Sequence, residues 1–502
     1  MKTKVSYIVI LGLLLLGCKP KSEKLEAKDE PSVTDSVGIS FTSSNKKLEE
    51  AFTWAKHKAL SYAHDGTDPV GLWYEAALPN REAFCMRDVS HQAIGAELLG
   101  LGEHNFNMFL KFAQNISEEL DYCSYWEINR YNLPAPVDYE DSNDFWYNLP
   151  ANFDVTFNAY RIYNWTGNKA YLENKDLQNF YNLSMNEYVD HWDLGHSEVL
   201  TRNRKLHEKK GEDMRFNGKR GIPTYNEGGR GETILGIDMT ASLVAGYRAY
   251  AAILKRNGDM EQSSSYKAKA EEEQQFLNDF WWDPEQNSFR SIWYEDGTFD
   301  YFMVGNNQAF LHYLLYFDAL QNPDRIGTVA DGYVKNFDKL IVELKSYLPI
   351  IFYENGQTAL ANQMVIDLSA PENQRRDYPE NSFTIIEHLT SGLMGINADA
   401  ESYSFSTIPR LQSEIERGQM INIPILSNKI SITHEGNAKT LATNQKGPSI
   451  QWTAQFSGHH EYLYVNNYKV RCLQTEQNGS VISYYSVMLD EREQSIIAIN
   501  PS

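Results

Sequence analysis

The sequence predicts a mainly α-helical fold, in which a closed toroid of helical hairpins is followed by a small antiparallel β domain. From about residue 45 the chain shows long helical patterns in pairs, with short turns containing Gly or Asn between them. Two pairs look alike, because FNAYRIYNWTGNKAYLEN and VAGYRAYAAILKRNGDMEQ each place a Tyr-Arg-x-Tyr helix before a turn and a second helix. Repeated hairpins bury their apolar faces against their neighbours, which favours a closed ring.

The first residues have the pattern of a bacterial lipoprotein signal. Residues 1–17 contain two early lysines and an apolar run that is short for a membrane span, and Cys18 follows. We expect Cys18 to be lipidated, which would anchor the protein in the cell envelope; an ordinary buried helix or a simple secretory signal are the alternatives. Residues 18–44 are charged and poor in aromatic residues, so they predict a disordered tether.

The toroid is predicted over residues 45–420, and its helices follow from the spacing of apolar residues. The predicted helices cover residues 46–63, 90–102, 104–120, 153–167, 170–192, 232–258, 264–282, 306–317 and 382–396. Residues 421–502 alternate β-branched or aromatic residues with polar ones, and turn sequences such as NQKG separate these runs. This β domain is expected to pack against the toroid, with sugar binding as an alternative role.

Charge and cysteine content exclude some functions. The chain has 46 basic and 67 acidic residues, a net charge of −21, which argues against nucleic acid as a partner. Cys85, Cys123 and Cys472 fit no zinc or thioredoxin spacing. We expect buried free thiols, although Cys85 and Cys123 could form a disulfide. No metal and no cofactor is predicted.

The stretch NREAFCMRDVSHQ, residues 80–92, is the first candidate site. Charged and bulky apolar residues alternate in it, so some charges must point into a partly buried place. If a helix begins at His91, Arg87 and Asp88 lie at its N-terminus, where an anion is favoured. Alternatively Asp88 caps the helix, Arg87 pairs with Glu82, and His91 is packed in the core.

Two further candidates lie in loops that precede helices. Trp146 stands among Asn and Asp residues in YEDSNDFWYNLPANFD, which is typical of a sugar subsite or of a loop pinned by its own aromatic residues. Glu227, Arg230 and Glu232 lie among five glycines in GIPTYNEGGRGETILGID, after Tyr225. Glycines let the backbone approach a ligand. Glu232 could instead be only the first-turn carboxylate of the next helix.

The fourth candidate is RRDYPENSFTIIEHL, in which Glu380 precedes a helix and His388 follows about two turns later. Asn381 or Ser382 could alternatively serve there only as a helix cap.

The paired helices, together with the aromatic hairpin FWWDPEQNSFRSIW, resemble the six-hairpin (α/α)6-barrel carbohydrate-active enzymes over about residues 45–410. Many glycosidases of this group have their general base in a Glu-Asn context near the end of the barrel, which implies that role for Glu380. Among these proteins the chain most resembles the oligosaccharide dehydratases of ulvan-degrading marine flavobacteria. That resemblance implies an acidic oligosaccharide substrate and elimination of water at a non-reducing-end uronic acid.

Two chemistries follow from the candidate residues. Elimination on a uronic acid needs a cation for the carboxylate, Arg87 or Arg230, and a base, His91 or Tyr225. It also needs an acid for the departing oxygen, Glu227 or Asp88.

Inverting hydrolysis of a glycosidic bond would instead use Glu227 as acid and Glu380 as base, about 6.5 to 9.5 Å apart. Trp146, Glu232 and His388 are predicted substrate contacts in either case. A non-catalytic glycan-binding lipoprotein is a third hypothesis, but it would not explain the clustered Arg, His and Glu residues.

Overall fold

A computed structural model describes residues 38–202, 218–227, 233–302, 310–477 and 479–501. Gly38–Ser502 form one compact unit. Helix makes up 42 % of the structure and strand 25 %, so β structure is more extensive than a mainly α fold implies. Among the described residues, none of the helices has the length and apolar character needed to cross a bilayer.

Helices build most of the chain between residues 46 and 393. The α-helices are Lys46–Ser61, Met86–Leu98, Gly102–Gln114, Ala151–Thr166, Ala170–Glu173, Lys175–Met185, Glu187–Trp192, His196–Val199, Ile237–Arg256, Met260–Phe280, Tyr313–Tyr316, Pro323–Lys335, Val342–Lys345, Leu348–Glu354, Thr358–Ser369 and Pro379–Glu387. Short 3-10 helices span Glu118–Leu120 and Phe337–Lys339, and a π-helix, His388–Leu393, continues the last α-helix.

Inner helices form a ring, and each is buried on nearly all sides. In the described chain this ring consists of the helices Met86–Leu98, Ala151–Thr166, Ile237–Arg256, Tyr313–Tyr316, Leu348–Glu354 and Pro379–Glu387. The last of them packs against the first, which closes the ring. Outer helices cover it, and the first helix, Lys46–Ser61, packs on Pro379–Glu387 to complete the last hairpin. The predicted toroid of helical hairpins is therefore present.

Short strands join the helices and shape the loops at the helix starts. They are Ala63–Asp65, Leu72–Tyr74, Ala83–Cys85, Glu127–Asn129, Tyr139–Asp141, Asp144–Asn148, Lys219–Ile222, Thr233–Gly236, Trp282–Asp283, Ser288–Phe289, Ile292–Tyr294 and Phe299–Asp300.

The C-terminal part is a pair of sheets. In the seven-stranded sheet the order is Ser40–Ser43, Arg417–Ile425, Asn428–Glu435, Lys439–Lys446, Gln494–Ala498, Tyr462–Val465, Tyr468–Arg471. In the five-stranded sheet the order is Asn397–Asp399, Ser404–Thr407, Ile450–Ser457, Ser480–Leu489, Leu473–Gln477. Alternate residues of the central strands, such as Ile432 and Trp452, are fully buried, as expected for sheets with one face in the core. We call these two sheets the sandwich.

Two predicted domain limits differ from the structure. Residues 40–43 were expected in the tether, but Ser40–Ser43 is a strand whose Phe41 is 3 % exposed and pairs with Met420. Burial of Phe41 stabilises this segment, so the ordered chain begins before residue 45. The predicted limit at residue 420 falls inside the strand Arg417–Ile425.

Several predicted helices also differ: among described residues, that predicted over 306–317 is helical only at Tyr313–Tyr316, and that predicted from residue 382 begins at Pro379. The helix predicted from residue 90 begins at Met86, because Cys85 ends a strand and the Met86 N–H donates to the Trp126 carbonyl. The helix predicted from residue 232 begins at Ile237, after a β-branched strand, Thr233–Gly236, that pairs with Ile292–Tyr294. The single helix predicted over 170–192 is divided into three.

Candidate active site

Four inner helices each carry a buried carboxyl group in their first turn, and these helix starts lie at one end of the ring. The residues are Asp88, Asp154, Asp238 and Glu380, and each is at most 3 % exposed. A carboxylate is favoured at a helix N-terminus by the free N–H groups there. Four buried acids nevertheless need partners or protons. We call this end of the ring the acid end.

Glu380 is held by His91 from the neighbouring helix. The distance from His91 Nδ1 to Glu380 Oε1 is 2.9 Å, and both side chains are buried. The His91 ring stacks on Tyr347, with centroids 3.4 Å apart and planes 7° apart. Burial lowers the pKa of His91 well below its ordinary value. The ring is therefore neutral at pH 7, and Nδ1 donates its proton to the carboxylate when Glu380 is ionised.

A glycine allows the two helices to approach this closely. A Cβ atom at Gly95 would lie 2.1 Å from the carbonyl oxygen of Phe383, so no side chain fits between the helices at this point. The close approach brings the start of one helix against the start of the other.

The carboxyl groups of Asp88 and Glu380 lie close enough for each to shift the pKa of the other. Desolvation and the charge of Glu380, opposed by Arg87, together raise the pKa of Asp88 to about 8. Desolvation raises the pKa of Glu380 to about 6, again opposed by Arg87. The two groups titrate as a pair, and the lower pKa of Glu380 makes it the member that ionises first as the pH rises.

Arg87 is the partly exposed cation of the acid end. Its Nη2 and Nε atoms lie 3.1 and 3.3 Å from Asp88 Oδ1. Its side chain is 18 % exposed, and its guanidinium carbon lies 5.8 Å from the centroid of the Tyr225 ring. The alternative pair with Glu82 does not form, since Glu82 binds Arg130 at 2.6 Å. Arg87 can therefore receive an anionic group from the solvent side.

Tyr225 is fixed by two of the acids. Its hydroxyl donates to Asp154 Oδ2 at 2.9 Å, and its backbone N–H donates to Asp238 Oδ2 at 2.6 Å. Desolvation raises the pKa of Asp154 to about 7 and that of Asp238 to about 6. Desolvation and then the charge of Asp154 raise the pKa of Tyr225 well above its ordinary value. Tyr225 is therefore a neutral hydrogen-bond donor at pH 7.

Glu227 is the solvent-accessible acid of this group. Its residue is exposed, yet desolvation by the surrounding protein raises the pKa of its carboxyl group. Arg87 and a side-chain hydrogen bond with Asn148 oppose that shift, and Asp88 adds to it. Solvent therefore reaches Glu227 although protein atoms surround its carboxyl group, and we call the space that it faces the cleft.

Aromatic residues extend from Tyr225 along one side of this cleft. The Trp126 ring lies 6.3 Å from that of Tyr225 and 5.9 Å from that of Trp146, measured between centroids. Trp146 is half-buried on the strand Asp144–Asn148, which pairs in parallel with Lys219–Ile222. Flat aromatic faces beside carboxyl groups suit the apolar faces and hydroxyl groups of sugar rings.

The structure brings most of the predicted site residues together. Those at the acid end are Arg87, Asp88, His91, Tyr225, Glu227 and Glu380, with Trp146 farther along the cleft. Arg230, Glu232 and Cys18 lie outside the described residues. His388, predicted to contact the substrate, lines a cavity on the other side of His91, and its Nε2 lies 2.7 Å from the Ser346 carbonyl oxygen. Neither Asn381 nor Ser382 caps the helix, which begins earlier, at Pro379.

Sequence reasoning missed Asp154, Asp238 and Tyr347. A signal for the two acids was present, because each stands in the first turn of an inner helix, in the sequences NFDV and GIDM, as Asp88 does in MRDV. Tyr347 gave no such signal, since only the fold brings it against His91. The three cysteines are buried free thiols, as predicted.

Within the described ranges, no three His, Cys, Asp or Glu side chains are grouped in a way that could hold a metal ion. The metal-free site stays a prediction.

Comparison with known proteins gives a likeness of fold. No protein-family model matches the sequence, and no curated protein matches it. In fold the chain is similar to α-L-rhamnosidases. The enzyme from Dictyoglumus thermophilum has a TM-score of 0.58 and 10 % identity, over 92 % of this chain and 50 % of the enzyme.

Two further rhamnosidases show the same likeness. The enzyme from Aspergillus terreus has a TM-score of 0.55 and 11 % identity, over 90 % of this chain and 50 % of the enzyme. The GH78 family rhamnosidase of Bacillus sp. GL1 has a TM-score of 0.53 and 12 % identity, over 82 % of this chain and 40 % of the enzyme. The chain thus spans about half the length of these enzymes. The predicted (α/α)6 barrel with an accompanying β domain is confirmed.

Proposed function

We propose that the protein is a carbohydrate-active enzyme that hydrolyses a glycosidic bond at the acid end of its helical ring. The observation that carries this proposal is the environment of Glu380, a buried carboxyl group with a pKa raised to about 6 and a His91 N–H directed at it. A carboxylate that is ionised near neutral pH and fixed by a donor has the properties of a general base.

Glu227 is the partner acid in this proposal. Glycoside hydrolysis needs two carboxyl groups on opposite sides of the scissile bond, at least about 5 Å apart. The charge of Glu380 raises the pKa of Asp88, so these two carboxyl groups lie close together and would act on the same side as one unit. Glu227 is open to solvent and has a raised pKa, which suits a group that must hold a proton for the leaving oxygen.

The substrate proposed is an acidic oligosaccharide. Arg87 offers a guanidinium group to the cleft, and a sugar carboxylate is a good partner for its planar donors. The fold neighbours act on α-L-rhamnosides, as their names state, so a rhamnoside is the second substrate to test.

Elimination of water from a non-reducing-end uronic acid, as in ulvan oligosaccharide dehydratases, is the second candidate. Arg87 favours it, because abstraction of a proton beside a carboxylate requires that charge to be neutralised. The proposed bases disfavour it: the Nδ1 of His91 carries a proton that is directed at Glu380, and Tyr225 has a pKa raised by desolvation and by Asp154.

One assay separates the two reactions. The full chain is incubated with ulvan oligosaccharides and, separately, with an aryl α-L-rhamnoside. Hydrolysis releases new reducing ends or the aryl alcohol with no new ultraviolet absorbance from an unsaturated uronate. New absorbance without chain cleavage would establish dehydration instead and remove the hydrolase proposal.

Lipid anchoring at Cys18 is a separate proposal, supported by the sequence pattern alone. Expression in a bacterial host with labelled palmitate should label the wild type and not Cys18→Ser. Equal labelling, or none in either, would contradict it.

A further inference from the structure

A second cavity lies within the ring, toward the end opposite the helix starts. Its volume is about 270 Å³. Its polar and aromatic lining includes Arg161, Asp318, Tyr316, Glu354, Glu387 and His388. Glu354 is the last residue of its inner helix, and Asp318 follows the end of another. Arg161 and Glu387 lie in the last two turns of helices whose first turns carry Asp154 and Glu380, so the cavity is lined mainly by the later turns of inner helices.

The cavity has its own access to solvent. It shares Glu354, Asn355 and Gln477 with a groove of about 550 Å³ that runs between the ring and the sandwich. His460 and Arg410 lie in the wall of that groove. A ligand can enter from this side without passing the acid end.

The wall of the cavity carries both signs of charge. Arg161 Nη2 lies 2.5 Å from Glu387 Oε1, and its guanidinium carbon lies 5.9 Å from the centroid of the Tyr316 ring. Glu354 is exposed, and within the described chain its carboxyl group has no hydrogen bond and no ion pair. Desolvation raises the pKa of Glu354, with Arg410 opposing the shift. Like Glu227, it is an acid that solvent reaches between walls of protein.

His388 gives an independent sign that a ligand belongs here. It is 2 % exposed and lines the cavity. Its Nε2 faces the Ser346 carbonyl oxygen at 2.7 Å, so Nε2 carries the proton and donates it. Its Nδ1 is then a bare acceptor, and it has no partner within the described residues. Buried acceptors without a donor are rare in folded proteins, and a ligand hydroxyl group would satisfy this one.

The charged and aromatic groups in the cavity wall indicate which class of ligand fits it. A cation would meet Arg161 and Arg410, and an anion would meet the carboxyl groups of Asp318, Glu354 and Glu387. A neutral polyhydroxyl ring can donate to the carboxylates and accept from the guanidinium, and its apolar face can rest on an aromatic ring. The volume is just below the roughly 300 to 1,000 Å³ of pockets for larger ligands, which suits one sugar ring.

We infer that this cavity binds a neutral monosaccharide unit, on the side of His91 that faces away from the carboxyl groups of the acid end. The cavity is also lined by His91 and Tyr347, which hold Glu380 in the proposed hydrolysis. The inference does not rest on that hydrolysis, because the groups that would bind the sugar, Tyr316, Glu354 and Asp318, take no part in it. The sugar would lie between Tyr316 and the carboxyl groups of Glu354 and Asp318.

Hydrogen exchange followed by mass spectrometry tests the inference on the full chain, with L-rhamnose and D-glucose as probes and glycerol as the control. We expect at least one sugar to slow exchange in residues 348–358, at the end of the inner helix that carries Glu354. In Glu354→Gln or Asp318→Asn the sugar concentration needed for this protection should rise about tenfold or more, since each change removes a charged acceptor. Glu50→Gln, on the outer helix Lys46–Ser61, should change nothing.

Arg87→Ala distinguishes sugar binding in the cavity from sugar binding at the acid end. Protection of 348–358 should persist in this variant, because Arg87 lies at the acid end. Protection confined to residues 86–92, or no protection by either sugar, would overturn the inference. Protection of 348–358 that survives unchanged in both Glu354→Gln and Asp318→Asn would also overturn it. Melting curves of the two variants show that they are folded.

Discussion

The acid end and the sandwich differ in how many of their buried polar side-chain atoms have a hydrogen-bond partner. In the sandwich, His434 uses both ring nitrogens, with Nδ1 2.9 Å from Thr440 Oγ1 and Nε2 3.0 Å from the Met394 carbonyl oxygen. Among described residues 397–501, the only buried side-chain polar atom without a hydrogen-bond partner is Oγ of Ser431. Around the acid end such atoms are several, and they belong to Ser90, Gln92, Glu127, Asp138, Asn148, Glu380 and Asn381.

This difference indicates that the sandwich stabilises the fold, whereas the acid end is suited to binding a ligand. A buried polar group without a partner costs about 1 to 3 kcal/mol, so a cluster of them weakens the fold. The sandwich avoids that cost. At the acid end the fold bears this cost, as is common in active sites. A polar substrate would supply the missing hydrogen-bond partners.

The largest effect that would test this difference is expected from Glu380→Gln. The amide has the shape of the acid but cannot accept a proton, so turnover should fall about 10²- to 10⁴-fold. The melting temperature should change little, because the buried charge is removed. Glu435→Gln, on an exposed strand position of the sandwich, is the matched control and should leave turnover unchanged. Turnover of Glu380→Gln within threefold of the wild type would contradict the assignment.

Arg87→Ala should have the next largest effect. Loss of a partner for a substrate carboxylate costs about 2 to 5 kcal/mol, or about 30- to 4,000-fold in kcat/KM. Arg87→Lys should recover only part of it, because an ammonium cannot bind a carboxylate with two parallel donors. Arg471→Ala, an exposed arginine in the sandwich, is the control. Equal losses for Arg87→Ala on acidic and neutral substrates would show that Arg87 does not bind a carboxylate.

Replacement by Phe should lower mainly turnover at His91 and mainly stability at His434. His91→Phe keeps the ring stacked on Tyr347 but removes the donor to Glu380, so turnover should fall about 10- to 100-fold with a small loss of stability. His434→Phe leaves two partners without a hydrogen bond and should lower the free energy of unfolding by about 1 to 3 kcal/mol at normal turnover. Chemical denaturation and turnover are measured on both. A purely structural loss in both variants would remove the distinction between the regions.

The smallest effect concerns the pH dependence of stability. The pKa values of Asp88 and Glu380 are raised, mainly by desolvation, to about 8 and about 6. Their contribution to stability is fully present below the ordinary carboxyl pKa and is lost as the pH rises through these values. Asp88→Asn, which resembles the protonated acid, should therefore flatten the decline in unfolding free energy between pH 4 and pH 8, whereas Asp490→Asn, in the sandwich, should not. An unchanged slope in Asp88→Asn would mean that Asp88 is ionised in the folded protein.

The sequence predicted the helical ring and the location of its chemistry better than it predicted the roles of single residues. Arg87, Asp88, Glu227 and Glu380 were recognisable as site residues because apolar periodicity places inner helices near them. Two of those helix starts were nevertheless predicted about one turn away, and Asp154 and Asp238 were missed. The role of His91 could not be predicted, since its partners Glu380 and Tyr347 are distant in sequence and only the ring brings them together. The strand Ser40–Ser43 was missed because its pairing partner lies almost 380 residues away.

The pH dependence of kcat/KM tests the central claim most directly. If Glu380 is the base, activity of the wild type should rise with pH through an apparent pKa near 6, because the protonated acid cannot accept a proton. In His91→Phe this limb should move to higher pH, since the donor that favours the ionised form of Glu380 is gone. A wild-type profile without a limb near pH 6, or a limb that stays in place in His91→Phe, would contradict the account.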